Sequence, residues 1–554
     1  MALAAERAKY GLPAEFKVTR EMKKNFTKEE KLMYKTAYEI GGVKRANDVM
    51  KAHFARQKAA AKAAEAAEGG TADAPAAGEA GGGGTVDGGG AKADPSGGSA
   101  VAAPPPQSLK PKELTVIPYG ESSPAGQLLV AGTTDWENIG KKAPSGQCLY
   151  SFHRIMDQVQ IRFVTSGSAS VHSLAVDEAG VAYTWGRNDA GQLGHGNYET
   201  YYTPAIVQGL KGHAVRHASC GKRHTVVVTT EGKLFSWGSH KTGALGTGGA
   251  VKEGFATPQQ LNVGEHEPFT RVSCGAEFTM AVNEEGLVFA WGHPMYGQLG
   301  NGSNGEVIER ANTISYHFVT APQIVRFDVG HCKAVDVACG NNHTVVLSEE
   351  GRVYTWGFAG YGRLGHSNQN DLMAPAELSF FNGGDSKPRM CAKNIAAGAT
   401  ASYCMTRGGM TYFWGRTKST GEANMYPKPV YDLNGWNVRS ISCGNTSTIC
   451  AADEAIITWG SSPTYGELGY GDPDTGAPKS STVPKLVDVL QGVIAHTVSA
   501  GYAHTAIIAS RTEGKGEALL STLPIHESEP APVKGAKKRA STGNEPETKK
   551  GRKK

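Results

Sequence analysis

No stretch of the 554 residues approaches the roughly 18 consecutive apolar residues that a membrane-spanning helix needs, and the N-terminus has no apolar stretch of the signal-peptide kind. Transmembrane and secreted classes are therefore not expected. Cysteine is scarce: nine residues, an odd number, with no Cys-x-x-Cys pair. That disfavours a disulfide framework or a zinc ribbon and favours reduced thiols in a cytosolic or nuclear protein. No P-loop, nucleophile elbow or paired-carboxylate pattern occurs, so side-chain catalysis has no carrier and no cofactor is expected. Aromatic residues, Leu and Ile are all missing between Gly69 and Pro106, which leaves too little apolar area to offset the entropy of ordering.

Glycine is abundant: 72 residues, against a typical share of about 7%. The net charge of +5 is unevenly spread: residues 1–60 carry 14 Lys/Arg against 7 Asp/Glu, residues 531–554 carry 9 against 2, and the body between is acidic. Four regions follow. Residues 1–68 form a basic arm expected to be helical, with capping-box spacing at Thr27-Lys-Glu-Glu30. Residues 69–108 read as a disordered Gly/Ala/Pro-rich linker, residues 109–510 as a folded body, and residues 511–554 as a disordered basic tail.

The body is a repeat. A hydrophobic segment ending in Trp-Gly recurs at Trp185-Gly186, Trp237-Gly238, Trp291-Gly292, Trp356-Gly357, Trp414-Gly415 and Trp459-Gly460, with a degenerate copy ending at Gly132. A second motif, a small residue followed by Gly, recurs at Gly167, Gly221, Gly275, Gly340, Gly398, Gly444 and Gly501. The second-motif glycine precedes its Trp-Gly glycine by 19, 17, 17, 17, 17 and 16 residues. Gly501 has no Trp-Gly after it, and Gly132 has no second motif before it. These orphan halves lie at opposite ends and would make one complete blade if the chain closes into a ring. The fold class expected is all-β, a seven-bladed β-propeller closed by pairing of its N- and C-terminal strands, which leaves only short, protected sheet edges. Turns such as Gly191-Gln-Leu-Gly194, Gly297-Gln-Leu-Gly300, Gly362-Arg-Leu-Gly365 and Gly466-Glu-Leu-Gly469 supply glycines for positive φ and an inward leucine.

The run Cys220-Gly-Lys-Arg-His-Thr225 … Phe235-Ser-Trp-Gly238, together with the Gly-Gln-Leu-Gly turns, resembles the regulator of chromosome condensation repeat family over about 400 residues. The resemblance implies a non-enzymatic interaction scaffold, or at most a guanine-nucleotide exchange factor. It implies as partners a small GTPase of the Ran, Rac or Arf type and chromatin or microtubules, with roles in mitosis and the cell cycle. It also implies a nuclear location with a cytoplasmic or cytoskeletal pool. Exchange would need a wedge or an acidic loop rather than a catalytic side chain. The candidate segments are Ser303–Lys333 and Asp472–Pro484, with Asp472 and Asp474 as the GTPase-facing candidates. Plant ultraviolet-B photoreceptors share the fold and use a tryptophan in the second motif, where this chain has Lys222, Ala276, Asn341 and Tyr502. The Trp-Gly tryptophans therefore read as blade packing.

The histidines His172, His224, His343 and His504 recur in the second motif, with Phe278 and Ser402 read at the same position. Equivalent positions on different blades cannot converge on one ion, so a hydrogen bond to a neighbouring strand or turn is expected. Cys220, Cys274, Cys339 and Cys443 read as small buried residues. At the C-terminus, Lys537, Lys538 and Arg539 precede Lys549, Lys550, Arg552, Lys553 and Lys554. Their spacing is that of a bipartite nuclear-localisation signal, implying importin binding. The same charges suit DNA phosphate or acidic tubulin tails, which makes a polyanion-binding adaptor a third reading.

Overall fold

The computed structural model describes residues 124–526 except 140–147, 251–252, 310–313, 328–331, 383–386, 419–421 and 462–464. The arm, the linker and the basic clusters at 537–539 and 549–554 lie outside the described residues. What is described is a ring of seven four-stranded antiparallel sheets. Blade 1 takes the strands Ile161–Thr165, His172–Asp177, Ala182–Gly186 and Tyr201–Ile206, and blades 2 to 6 repeat that order through Ser481–Leu486. The first strand of each blade lies nearest the axis. Short residues such as Ser219, Ser273 and Ala338 surround a narrow axial channel there.

Blade 7 is shared by the two ends of the chain. Val493–Ala500 and His504–Gly514 supply the inner strands, and Gln127–Thr133 and Cys148–Ile155 supply the outer ones. Gln127 to Gly132 pair in continuous register with Ala509 to His504. The two sequence orphans therefore do complete one blade. Closure converts two otherwise free sheet edges into six residue pairs.

The spacing of the motifs has local causes. In blade 6 the interval is 16 because Ala452 pairs directly with Ala455, leaving a two-residue hairpin with Asp453 at φ 44°. In blade 1 the interval is 19 because the turn from Gly167 to His172 holds two extra residues.

At its C-terminal end the body extends beyond the boundary expected at residue 510. The last strand runs to Gly514, and a short helix, Gly516–Leu520, follows. Leu520 and Leu523 are buried in the blade 6–7 core, and Ile525 bridges to Arg154. The charge-rich composition of 511–517 masks three leucines spaced to cover the core.

Candidate interaction surface

In blades 1, 2, 3, 4 and 6 a Gly-x-Leu-Gly turn joins the blade to the next, and its chemistry is repeated. In blade 1 the carbonyl oxygen of Gln192, inside Gly191-Gln-Leu-Gly194, accepts two hydrogen bonds from blade 2: Thr225 Oγ1 at 2.8 Å and Trp237 Nε1 at 2.8 Å. Ala244 accepts from Thr279 and Trp291, and Gln298 accepts from Thr344 and Trp356, in the same way. The glycines of the turn are required. Gly194 has φ 79°, and a Cβ there would lie 2.9 Å from the Trp237 indole. The blade 2 turn, Gly243-Ala-Leu-Gly246, has the same geometry although its Gln position is Ala.

The repeated histidines complete this latch. Nε2 of His172 lies 2.8 Å from Thr225 Oγ1, His224 lies 3.0 Å from Thr279, His343 lies 2.8 Å from Ser402, and His504 lies 2.7 Å from Ser173. Thr279 gives its one hydroxyl proton to the Ala244 carbonyl, so it accepts from His224 Nε2–H, which fixes the neutral tautomer. Burial holds every one of these imidazoles uncharged: it pushes His172 down to about 3, and His224 and His504 to about 4. They are bridges between blades. Among the described residues no three His, Cys, Asp or Glu side chains gather as a metal site.

The strand register corrects one alignment. Ala401, not Ser402, pairs with the Trp-Gly glycine of its blade, so Ala401 holds the histidine position and Ser402 the threonine position. Cys220, Cys274, Cys339 and Cys443 are buried near the axis, and burial raises their thiols, Cys274 and Cys443 to about 12. None is available as a nucleophile.

Blade 7 has no Trp-Gly tryptophan. Ala131 occupies that position, opposite Thr505. Phe152, from the neighbouring outer strand, fills the space instead, and a Cβ on Gly469 would lie 2.3 Å from its ring. Nothing in the linear pattern marks Phe152, because the replacement comes from a different strand.

The latches occupy the interior of the junctions, so what remains for partners is the loop surface. The Ser303–Lys333 segment contains an extra hairpin, Glu306–Ile308 paired with Ile314–Tyr316, outside the blade sheet. It exposes Ile308 and Ile314, at 73% and 55%. Asp472 acts locally, where its Oδ1 accepts from the Asp474 backbone N–H at 2.9 Å and caps the single turn Pro473–Thr475. Asp472, Asp474 and Lys479 line an open cavity of about 360 Å³ beside Tyr150. The phenol of Tyr150 is raised by burial first, then by Cys148 and the two aspartates. The structure thus brings Asp472 and Asp474 together in one loop, apart from the hairpin.

Residues 125–507 match the model of the RCC1-like domain. The chain belongs to the RCC1-like domain family. Among RCC1-like proteins it is similar to the Protein RCC2 homolog of Xenopus laevis, with 41% identity over 73% of this chain and 81% of that protein. Its identity to Protein RCC2 of Homo sapiens is 40%, over 72% and 79% of the two chains. Among solved structures, Prp20p of Saccharomyces cerevisiae superposes with a TM-score of 0.57 at 21% identity, covering 71% of this chain and 93% of that one. That likeness speaks to the fold. Among the described residues no helix is long and apolar enough to cross a membrane.

Proposed function

We propose that this RCC1-like protein is a non-enzymatic interaction scaffold of the chromosome-condensation type. It binds a small GTPase of the Ran, Rac or Arf type through the propeller loops, and chromatin or microtubules through its basic ends. The observation that carries the reading is the 40–41% identity to Protein RCC2 across more than 70% of the chain. The two basic ends support polyanion contact, because neutralising phosphates or acidic tails releases counterions. Lys537, Lys538, Arg539 and the 549–554 cluster serve importin-dependent entry to the nucleus in this reading. Affinity capture from cells with the full chain and a form lacking 531–554 tests it. The full chain retains a GTPase together with histones or tubulin, and the truncated form loses the polyanionic partner and nuclear accumulation. Capture of neither class of partner by the full chain overturns the reading.

One observation favours a second reading, a guanine-nucleotide exchange factor. The hairpin outside the blade sheet exposes the apolar side chains of Ile308 and Ile314, and Prp20p, which shares the fold, has described binding properties toward Gsp1p and histones. Release of a fluorescent guanine nucleotide from purified Ran, Rac and Arf proteins separates the readings. Acceleration that disappears in Ile308→Asp supports exchange, and no acceleration with any of the three eliminates it.

A further inference from the structure

Blade 5 breaks the latch. Its loop between third and fourth strands has eight residues, 416–423, against fourteen in blade 1 (187–200), and contains no Gly-x-Leu-Gly turn. Among the described residues no turn carbonyl receives Thr448 and Trp459 of blade 6. The buried hydroxyl of Tyr403 accepts from the Trp459 indole at 3.3 Å and shares a hydrogen bond with the Thr448 hydroxyl at 3.4 Å. The histidine position is also empty, because it holds Ala401. Loss of loop and imidazole together leaves a cleft of about 250 Å³ between blades 5 and 6, with Tyr403 and Trp459 in its wall.

The cleft is electropositive and of mixed polarity. Arg416 and Lys418 line it, and no carboxylate does among the described residues. The Arg416 guanidinium carbon lies 3.5 Å from the centre of the Tyr361 ring, a cation–π contact. Arg363 lies just behind. It is 3% exposed and is held by the carbonyls of Gly360 and Ala399 rather than by an acid. Among the described residues none of the three cations makes an ion pair. Ser447, 4% exposed, lines the same cleft with a buried Oγ that has no partner. Buried polar groups are nearly always hydrogen-bonded, and uncompensated cations around an open cavity call for an anion.

We propose that the blade 5–6 cleft is a binding site for one side-chain carboxylate of an acidic peptide segment. The volume is below the roughly 300–1,000 Å³ of drug-sized ligand pockets, which excludes a nucleotide and suits one Asp or Glu side chain with its flanking backbone. The aromatic wall takes the aliphatic stem. Arg416, anchored on Tyr361 by the cation–π contact, has guanidinium donors to offer a carboxylate, the partner that Arg pairs with in bidentate fashion. Lys418 and Ser447 supply the remaining donors. The site is separate from the hairpin and from the Asp472 loop, and it stands whichever function the protein has.

The test uses the full chain and a rhodamine-labelled Gly/Ser peptide carrying one glutamate beside a photoreactive benzophenone residue, with phosphoserine replacing glutamate in a second peptide. Lys418→Ala and Arg416→Ala should each raise Kd about tenfold. Ala401→His, which places there the residue that four other blades carry at this position and fills the cleft, should abolish binding without lowering Tm. All three variants keep both basic ends, so non-specific attraction by the tails is constant. Cross-links should map to 416–418 or 445–448. Unchanged binding in Ala401→His and Lys418→Ala, cross-links confined to 1–60 and 531–554, or tenfold tighter binding of the phosphoserine peptide would each overturn the proposal.

Discussion

The junction between blades 2 and 3 and the junction between blades 5 and 6 solve the same problem with different atoms. At the first, the turn carbonyl of Ala244 takes Thr279 and Trp291, and His224 caps the threonine. At the second, the Tyr403 side chain replaces the carbonyl, and the imidazole is absent. Both satisfy the Trp indole and the hydroxyl, as buried polar groups demand. Only the first seals the junction. These two junctions both keep an acceptor for the indole and the hydroxyl, but the second has lost the covering loop, and there a cleft becomes available.

Acid should separate the two junctions most strongly. The latch histidines have folded-state values far below the ordinary 6.5, so their contribution is complete above about 6.5 and is lost as pH falls toward 4. Each of His172, His224 and His504 should cost about 1.4 kcal/mol per pH unit across that window. Melting followed from pH 7 to 4.5 should show a steep fall. His224→Phe, the residue that blade 3 already carries as Phe278, should make the fall shallower. An identical slope in the variant would remove the histidines from the account.

Next in size is the tryptophan. Trp291→Ala should destabilise by about 3–5 kcal/mol, since it empties a fully buried site. Trp459→Ala should cost less, because its junction already opens to solvent. Denaturant midpoints decide between them, and equal costs would mean that the cleft is closed in solution. Tyr403→Phe should cost about 1–3 kcal/mol by stranding the Trp459 indole and the Thr448 hydroxyl. Tyr412→Phe on the next strand of the same blade, whose hydroxyl has among the described residues a 4.0 Å contact to the Met390 sulfur, is the control and should cost less. The smallest effect is at Asp472. Asp472→Ala should loosen the 472–476 turn, measured as faster amide exchange there, with a global cost of about 1 kcal/mol.

Much of this is legible in the chain. The Trp-Gly period, the second-motif glycines and the two orphan halves are enough to read seven blades and their closure, because each blade repeats one hydrogen-bonding geometry and the same residues must return. The inter-blade role of the histidines is legible too, since Phe278 already shows that an apolar residue suffices there. The blade 2 turn is harder to see because Ala244 contributes only its backbone carbonyl, and a backbone group leaves no side-chain signature. Ser402 is a miscount rather than a hidden feature: the three-residue step that leads from Gly221 to His224 leads from Gly398 to Ala401, the residue that the strand register also selects. The ordered segment 511–526 is hidden by the charges around its three leucines.

What the sequence by itself determined is the number of blades, their order, and which glycines and tryptophans repeat, because these follow from local turn geometry and strand patterning. What only the tertiary structure decided are the substitutions made across space: Phe152 standing in for a missing tryptophan, Tyr403 for a missing carbonyl, and a cleft where a loop and a histidine are both absent. Each replacement comes from a strand other than the one that lost its residue, so the compensation exists only once the strands are side by side.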